Sequence, residues 1–179
     1  MRQNYALSFL GLTILPHGAV SLEFNVTAVS AQNGSSILQC WQMDKPFETS
    51  SQPGTTGTSL LMLSDVSNLT YGIIPPNSDG GWHNAPKVQW VVYTSGLAYI
   101  TLPDDTETSV MVSGGEFGII FAADTTDVSE KGHRTQYPGM TETTALEIPT
   151  SDGKIPEHRL LHTGPCSTSE ITGIREPSL

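Results

Sequence analysis

The chain has 179 residues, with 18 acidic side chains against 8 basic ones and a net charge of −10. Nucleic acid and anionic membrane both recruit clustered Lys and Arg, so neither is expected as a partner. A chain of this length fits a single domain with a core of its own.

From the start of the chain, Arg2 precedes an apolar run from Tyr5 to Leu15, Pro16-His17-Gly18 breaks it, and Ala19-Val20-Ser21 offers small residues for cleavage. This order predicts an export signal over residues 1–21. The run is shorter than the roughly 20 apolar residues a spanning helix needs. Residues 22–164 then form the expected domain, and 165–179 a polar C-terminal tail. Three Asn-x-Ser/Thr sequons follow the signal, at Asn25, Asn33 and Asn68. Each is a candidate glycosylation site and should lie at the surface of a secreted protein. Cys40 and Cys166 form an isolated pair, which in an oxidising compartment is expected to bond to itself.

Gly and Pro punctuate the sequence, and no segment keeps a helical period for three turns. Short β-rich runs are predicted at Leu22–Val29, Ser36–Met43, Ser59–Leu63, Leu69–Ile74, Val88–Ser95, Leu97–Leu102, Thr108–Val112, Phe117–Ala122 and Thr144–Ile148. Residues 48–58 read as a loop by composition. Many short strands with turns between them indicate an all-β sandwich or closed barrel. In Gln89–Ser95, Gln89, Val91 and Tyr93 point one way while Trp90, Val92 and Thr94 point the other. Ser95-Gly96 is expected to turn the chain into a hairpin with Leu97–Leu102, apolar on both faces and covered on both sides.

The segment from Trp82 to Gly96 keeps the spacing of the first cupin motif, with His83, Ala85, Gln89 and Gly96 at its marked positions. Gly115–Thr126 resembles the second motif, Phe121-Ala122-Ala123 standing for Pro-x-Gly and Thr126 for the fourth ligand. Together with Gly132-His133-Arg134-Thr135-Gln136-Tyr137-Pro138-Gly139 and Ile155-Pro156-Glu157-His158, the chain resembles small secreted fungal cupin-like proteins. That resemblance implies a single-domain jelly-roll β-barrel. It also places hetero-Diels–Alderases, which join a tropolone quinone methide to a humulene-type sesquiterpene, in the neighbourhood. Cupin-like barrels often pair through strand edges, so a homodimer is a candidate assembly.

The departures from the motif have chemical consequences. With Ala85, Gln89 and Thr126 in ligand positions, His83 is the one strong donor left, and a lone imidazole does not hold a divalent ion against water. Neither a metal nor a cofactor is therefore expected. The remaining groups suit an apolar small-molecule substrate. His83, Gln89 and Tyr93 are the candidate catalytic donors, able to polarise a carbonyl that gains charge in a transition state. Trp82, Trp90 and Thr126 are the candidate substrate-binding residues, although Trp90 should face away from Gln89, toward core. Asp124 and Glu116 read as turn or surface carboxylates, and His133, His158 and His162 as loop imidazoles. A glycosidase has no pair of carboxylates that the sequence places in one cleft. A non-catalytic binding protein, a metal-dependent cupin oxygenase or isomerase, and a structural or effector protein with a filled barrel are the competing readings.

Overall fold

The computed structural model describes residues 22–171; the expected export signal lies outside the described residues. Thirteen strands are formed among them: β1 (Asn25–Gln32), β2 (Ser35–Met43), β3 (Glu48–Thr49), β4 (Ser59–Leu60), β5 (Thr70–Ile74), β6 (Ser78–His83), β7 (Gln89–Ser95), β8 (Leu97–Thr101), β9 (Ser109–Ser113), β10 (Ile119–Ala122), β11 (His133–Tyr137), β12 (Thr143–Pro149) and β13 (His158–Thr163). None of the described residues is helical. The fold is all-β.

A seven-stranded sheet runs β13-β2-β1-β10-β7-β12-β5, a four-stranded sheet β6-β11-β8-β9, and β3 pairs with β4. The large sheet is mixed, since β1 pairs with β10 in parallel while its other neighbours are antiparallel. Its central strands β2, β1, β10 and β7 are apolar at both parities, and both of their faces are accordingly covered. On the inner face, Val29, Leu38, Val91, Tyr93, Ile120 and Ala145 meet Ala98, Ile100 and Val112 of the small sheet. On the outer face, Val26, Trp41, Trp90 and Phe121 form a second core, with Leu63 packed on it. The indole N–H of Trp90 donates to Ser64 Oγ at 3.0 Å, which fixes the loop between β4 and β5 over this face.

The expected hairpin across Ser95-Gly96 does not form. β7 pairs with β10 and β12, whereas β8 pairs with β9 and β11. The Ser95-Gly96 corner instead carries the chain from the large sheet to the small one. Gly96 has φ +81°, and a Cβ there would stand 2.3 Å from Thr143 Oγ1, so only glycine fits the corner. Alternation specifies which way side chains point; it does not specify which strand lies alongside.

Each of the nine predicted runs overlaps a strand, while β3 occupies the first two residues of the segment read as a loop, 48–58, through its pairing with β4. Three strands of five or six residues, β6, β11 and β13, were not anticipated, because Ser-Asp-Gly-Gly-Trp-His, His-Arg-Thr-Gln-Tyr and His-Arg-Leu-Leu-His-Thr lack a β-branched apolar alternation. The first two pair with each other. Residues 165–171 pack against β1: Cys166 N–H donates to Thr27 Oγ1 at 3.0 Å and Asn25 Nδ2 donates to Glu170 O at 2.8 Å. The Cys40–Cys166 disulfide is formed, joining residues 126 apart. That bond is consistent with an oxidising compartment.

An ion pair closes the same segment, His162 Nε2 lying 3.0 Å from Glu170 Oε1. Hydrogen bonds from Ser167, side chain first and then backbone, and from His162 hold Glu170 down to about 2. The Thr163 carbonyl, followed by Glu170, raises His162. The Glu170 contribution is present above its ordinary value of 4.5 and is lost as pH falls toward about 2. The His162 contribution is full below its ordinary 6.5 and is lost as pH rises through the raised value. Hydrogen exchange of residues 163–171 should therefore be slowest, after correction for intrinsic rates, between those two ordinary values. Protection that is flat from pH 3 to 9 would show that the pair contributes nothing.

A buried aspartate–histidine cluster as the candidate functional site

The alternation of β10 continues two residues past its end, so Ile120, Ala122 and Asp124 all face inward between the sheets. Asp124 is fully buried. A carboxylate there must be satisfied on both oxygens, and it is. Oδ2 accepts the Ser36 hydroxyl at 2.6 Å and His133 Nδ1 at 2.7 Å, while Oδ1 accepts Ala85 N–H at 3.3 Å. Ser129 completes the group: its hydroxyl lies 2.7 Å from that of Ser36 and accepts Gly132 N–H at 3.1 Å. Asn84 Nδ2 donates to the carbonyls of both Asp124 and Ser129, at 3.0 and 2.9 Å.

Three connections meet at this cluster: β1 to β2, β6 to β7, and β10 to β11. Residues 125–128 turn after Asp124, with Val128 and Ser129 N–H donating to Thr125 O. Ser129 then bridges Gly34 at the β1–β2 turn. Gly132, at φ +66°, lies so close to β6 that a Cβ would come 2.1 Å from His83 O. This approach sets His133 directly opposite His83 in the β11–β6 register.

The two imidazoles sit 4.6 Å apart, centroid to centroid, at 57°. His133 is buried, whereas His83 is exposed and covers it. Carboxylate and carbonyl oxygens only accept, so His133 Nδ1 carries the proton shared with Asp124, and His83 Nδ1 the proton donated to Gly81 O at 2.9 Å. In the neutral rings, Nε2 is thus the acceptor of each. Protonated, the same Nε2 becomes a donor. An Asp-oriented imidazole behind a solvent-facing one is a suitable arrangement for hydrogen bonding or proton transfer to a bound molecule. It is not a nucleophilic triad of Ser36 or Ser129: their hydroxyls bond to Asp124 or to each other, so neither is activated by His133.

The sequence-expected residues distribute unevenly around this centre. His83 belongs to it. Thr126 lies in the exposed turn two residues after Asp124. Gln89 is buried, and its register partner Ala122 places it at the Asp124 end of the inner face. Tyr93 shares that face but lies about 13 Å further along the strand. There, burial and then the neighbouring Tyr137 push its phenol well above its ordinary value, so it stays neutral. Gln89 and Tyr93 therefore do not meet one small group with His83. Trp90, on the opposite face, is 2% exposed and makes an edge contact with Phe121 at 4.7 Å. It is a core residue with no surface to offer a ligand. Trp82 is 52% exposed but alternates with His83, so the two project from opposite sides of β6. Its cross-strand partner Arg134 pairs with Asp79.

Four further expectations are corrected. Asp124 is a buried acceptor rather than a surface carboxylate, and Glu116 alone of the two is exposed. His133 is a buried strand residue, and His158, on β13, stacks on Trp41 at 3.8 Å. His162 is likewise on β13, not in a loop. The signal for Asp124 was present in the sequence as the inward parity of Ile120 and Ala122. Nothing local pointed to His133, whose partner lies nine residues away across a turn. Among the sequons, Asn33 and Asn68 are exposed, but Asn25 is half-buried: its Nδ2 is engaged by Glu170 and its Oδ1 has no hydrogen-bond partner among the described residues.

Cys40, His162 and Glu170 bring potential ligand atoms within 4.8 Å of one another, but the sulfur is committed to the disulfide with Cys166. A cleft of about 410 Å³ opens on the outer side of the large sheet, among Met43, Met62, Leu63, Asp65, Lys154 and Ile155. A smaller one of about 160 Å³ lies between Val110, Val112, Ile120 and Cys166. Neither is lined by His83, Gln89 or Tyr93. Comparisons of the chain with protein-family models, with curated proteins and with solved structures find no match.

Proposed function

We propose that this is a secreted, metal-independent enzyme acting on a small apolar molecule, with His83 as the group that touches the substrate. The observation that carries the proposal is the 2.7 Å contact of Asp124 Oδ2 with His133 Nδ1, covered by the exposed imidazole of His83. His133 and Asp124 are positioning residues in this reading: they fix the ring beneath His83 and set its tautomer. In its protonated form, with Nδ1–H held by Gly81 O, His83 then donates from Nε2 to a substrate carbonyl. The ligand replacements at Ala85, Gln89 and Thr126 support chemistry without a metal.

The resemblance to small secreted fungal cupin-like proteins makes an intermolecular hetero-Diels–Alder reaction the specific reading. A tropolone quinone methide is the heterodiene and a humulene-type terpene the partner. Such a step moves no net protons or electrons. It needs two apolar partners held in register, and a donor at the heterodiene oxygen as negative charge builds there. The cupin-like barrel, as a finer description of the two packed sheets, belongs to the same proposal.

The test is turnover of a quinone methide precursor with a humulene-type alkene, read as cycloadduct and its enantiomeric excess. His83→Ala is expected to lower the rate about 10²-fold, in the range for loss of one preorganised donor. Because His83 is exposed, its melting temperature should be unchanged. A wild-type protein that binds both partners without accelerating adduct formation would make this a binding protein. Unchanged turnover in His83→Ala would remove His83 from the reaction.

A further inference from the structure

β5 is an edge strand, paired with β12 on one side and with nothing on the other among the described residues. Its neighbourhood is unusually apolar for a surface: Val66, Leu69, Tyr71 and Ile73 are 53–63% exposed. From Val66 to Ser78 the sequence has no charged residue. Open edges with unpaired backbone groups are templates for another chain, and proteins usually blunt them with charge, bulges or a covering element. β5 has an unbroken antiparallel register with β12 over all five residues, so no bulge twists it away. The net charge of −10 is placed elsewhere.

One covering element is within reach. Asn68 stands two residues before β5, is exposed, and adopts φ +43°, which lifts it out of the extended chain. Its sequon is completed by Thr70, the first residue of the strand, which is also exposed. A glycan on Asn68 would be bulky and strongly hydrated, and β5 is about 17 Å long. We propose that an N-glycan on Asn68 covers the β5 edge and keeps the protein monomeric. This rests on the reading that the chain enters the secretory pathway. Asn33 sits in the tight turn between β1 and β2, away from this edge, and Asn25 is held by Glu170.

The experiment uses the full chain secreted from a eukaryotic host. Glycopeptide mass spectrometry should find glycan on Asn68, and light scattering should give one protomer after subtraction of the glycan. Asn68→Gln, and wild-type protein deglycosylated after folding, should both associate in a concentration-dependent way. Asn33→Gln should remain monomeric, and Ile73→Lys added to Asn68→Gln should restore the monomer. An Asn68 peptide without glycan beside a modified Asn33 would overturn the shield while leaving secretion intact. A chain with no glycan anywhere would overturn both. Deglycosylated protein that stays monomeric, or glycosylated protein that dimerises through β5, would refute the proposal directly.

Discussion

Replacing Cys40 and Cys166 together by alanine is expected to lower the unfolding free energy by about 4–5 kcal/mol. The bond closes a loop spanning 126 positions, and on the chain-entropy model a loop of roughly 100 residues is worth close to 5 kcal/mol before any native-state cost. Two local terms act in the same direction. Cys40 is fully buried in β2, so truncation removes packed atoms, and Cys166 anchors residues 165–171 on β1 through Thr27. Denaturant unfolding of the wild-type protein with and without reductant, beside the double variant, measures the effect. The reduced wild type and the double variant should have similar midpoints. A loss below about 1 kcal/mol would mean that the unfolded chain is already constrained near this closure.

The second large effect concerns Asp124. Asp124→Ala would leave the Ser36 hydroxyl, the His133 N–H and the Ala85 N–H without their acceptor, at a position with no access to water. Stranding buried polar partners of a charge costs about 3–5 kcal/mol. His133→Ala should cost less, because Asp124 keeps Ser36 and Ala85. His83→Ala should be near neutral in stability. The ordering separates two roles of one cluster: the interior part pins three connections, and the surface imidazole is free for chemistry. Urea midpoints for the three variants give the ordering directly. If Asp124→Ala and His83→Ala destabilise equally, the division between an interior pin and a surface imidazole is wrong.

Much of the architecture was legible from local pattern. Alternation in Ser36–Met43 and Gln89–Ser95 identified strands apolar on both faces, and it placed Trp90 opposite Gln89. Both features follow from the two-residue period of an extended chain, which is a local property. The isolated cysteine pair announced its own bond, because only two thiols were present to combine.

Strand partnership was decided by tertiary structure. Nothing within Gln89–Leu102 distinguishes a hairpin from a corner between two sheets; Thr143, nearly fifty residues away, fills the space at Gly96 and forces the corner. The candidate site was decided in the same way. His83 was visible as a motif position, but its partner His133 arrives through the β11–β6 pairing, and Asp124 gains its meaning only when Ser36, Ala85 and His133 converge on it. Polar strands such as β6 and β11 carry no apolar period, so their pairing energy is not written in their own residues. By itself, the sequence determined strand character and face in the apolar runs, which depend on neighbours along the chain, and the disulfide, because only two thiols were present to combine. Which strands lie side by side, and therefore which polar groups share one buried acceptor, was settled by contacts between segments far apart in sequence.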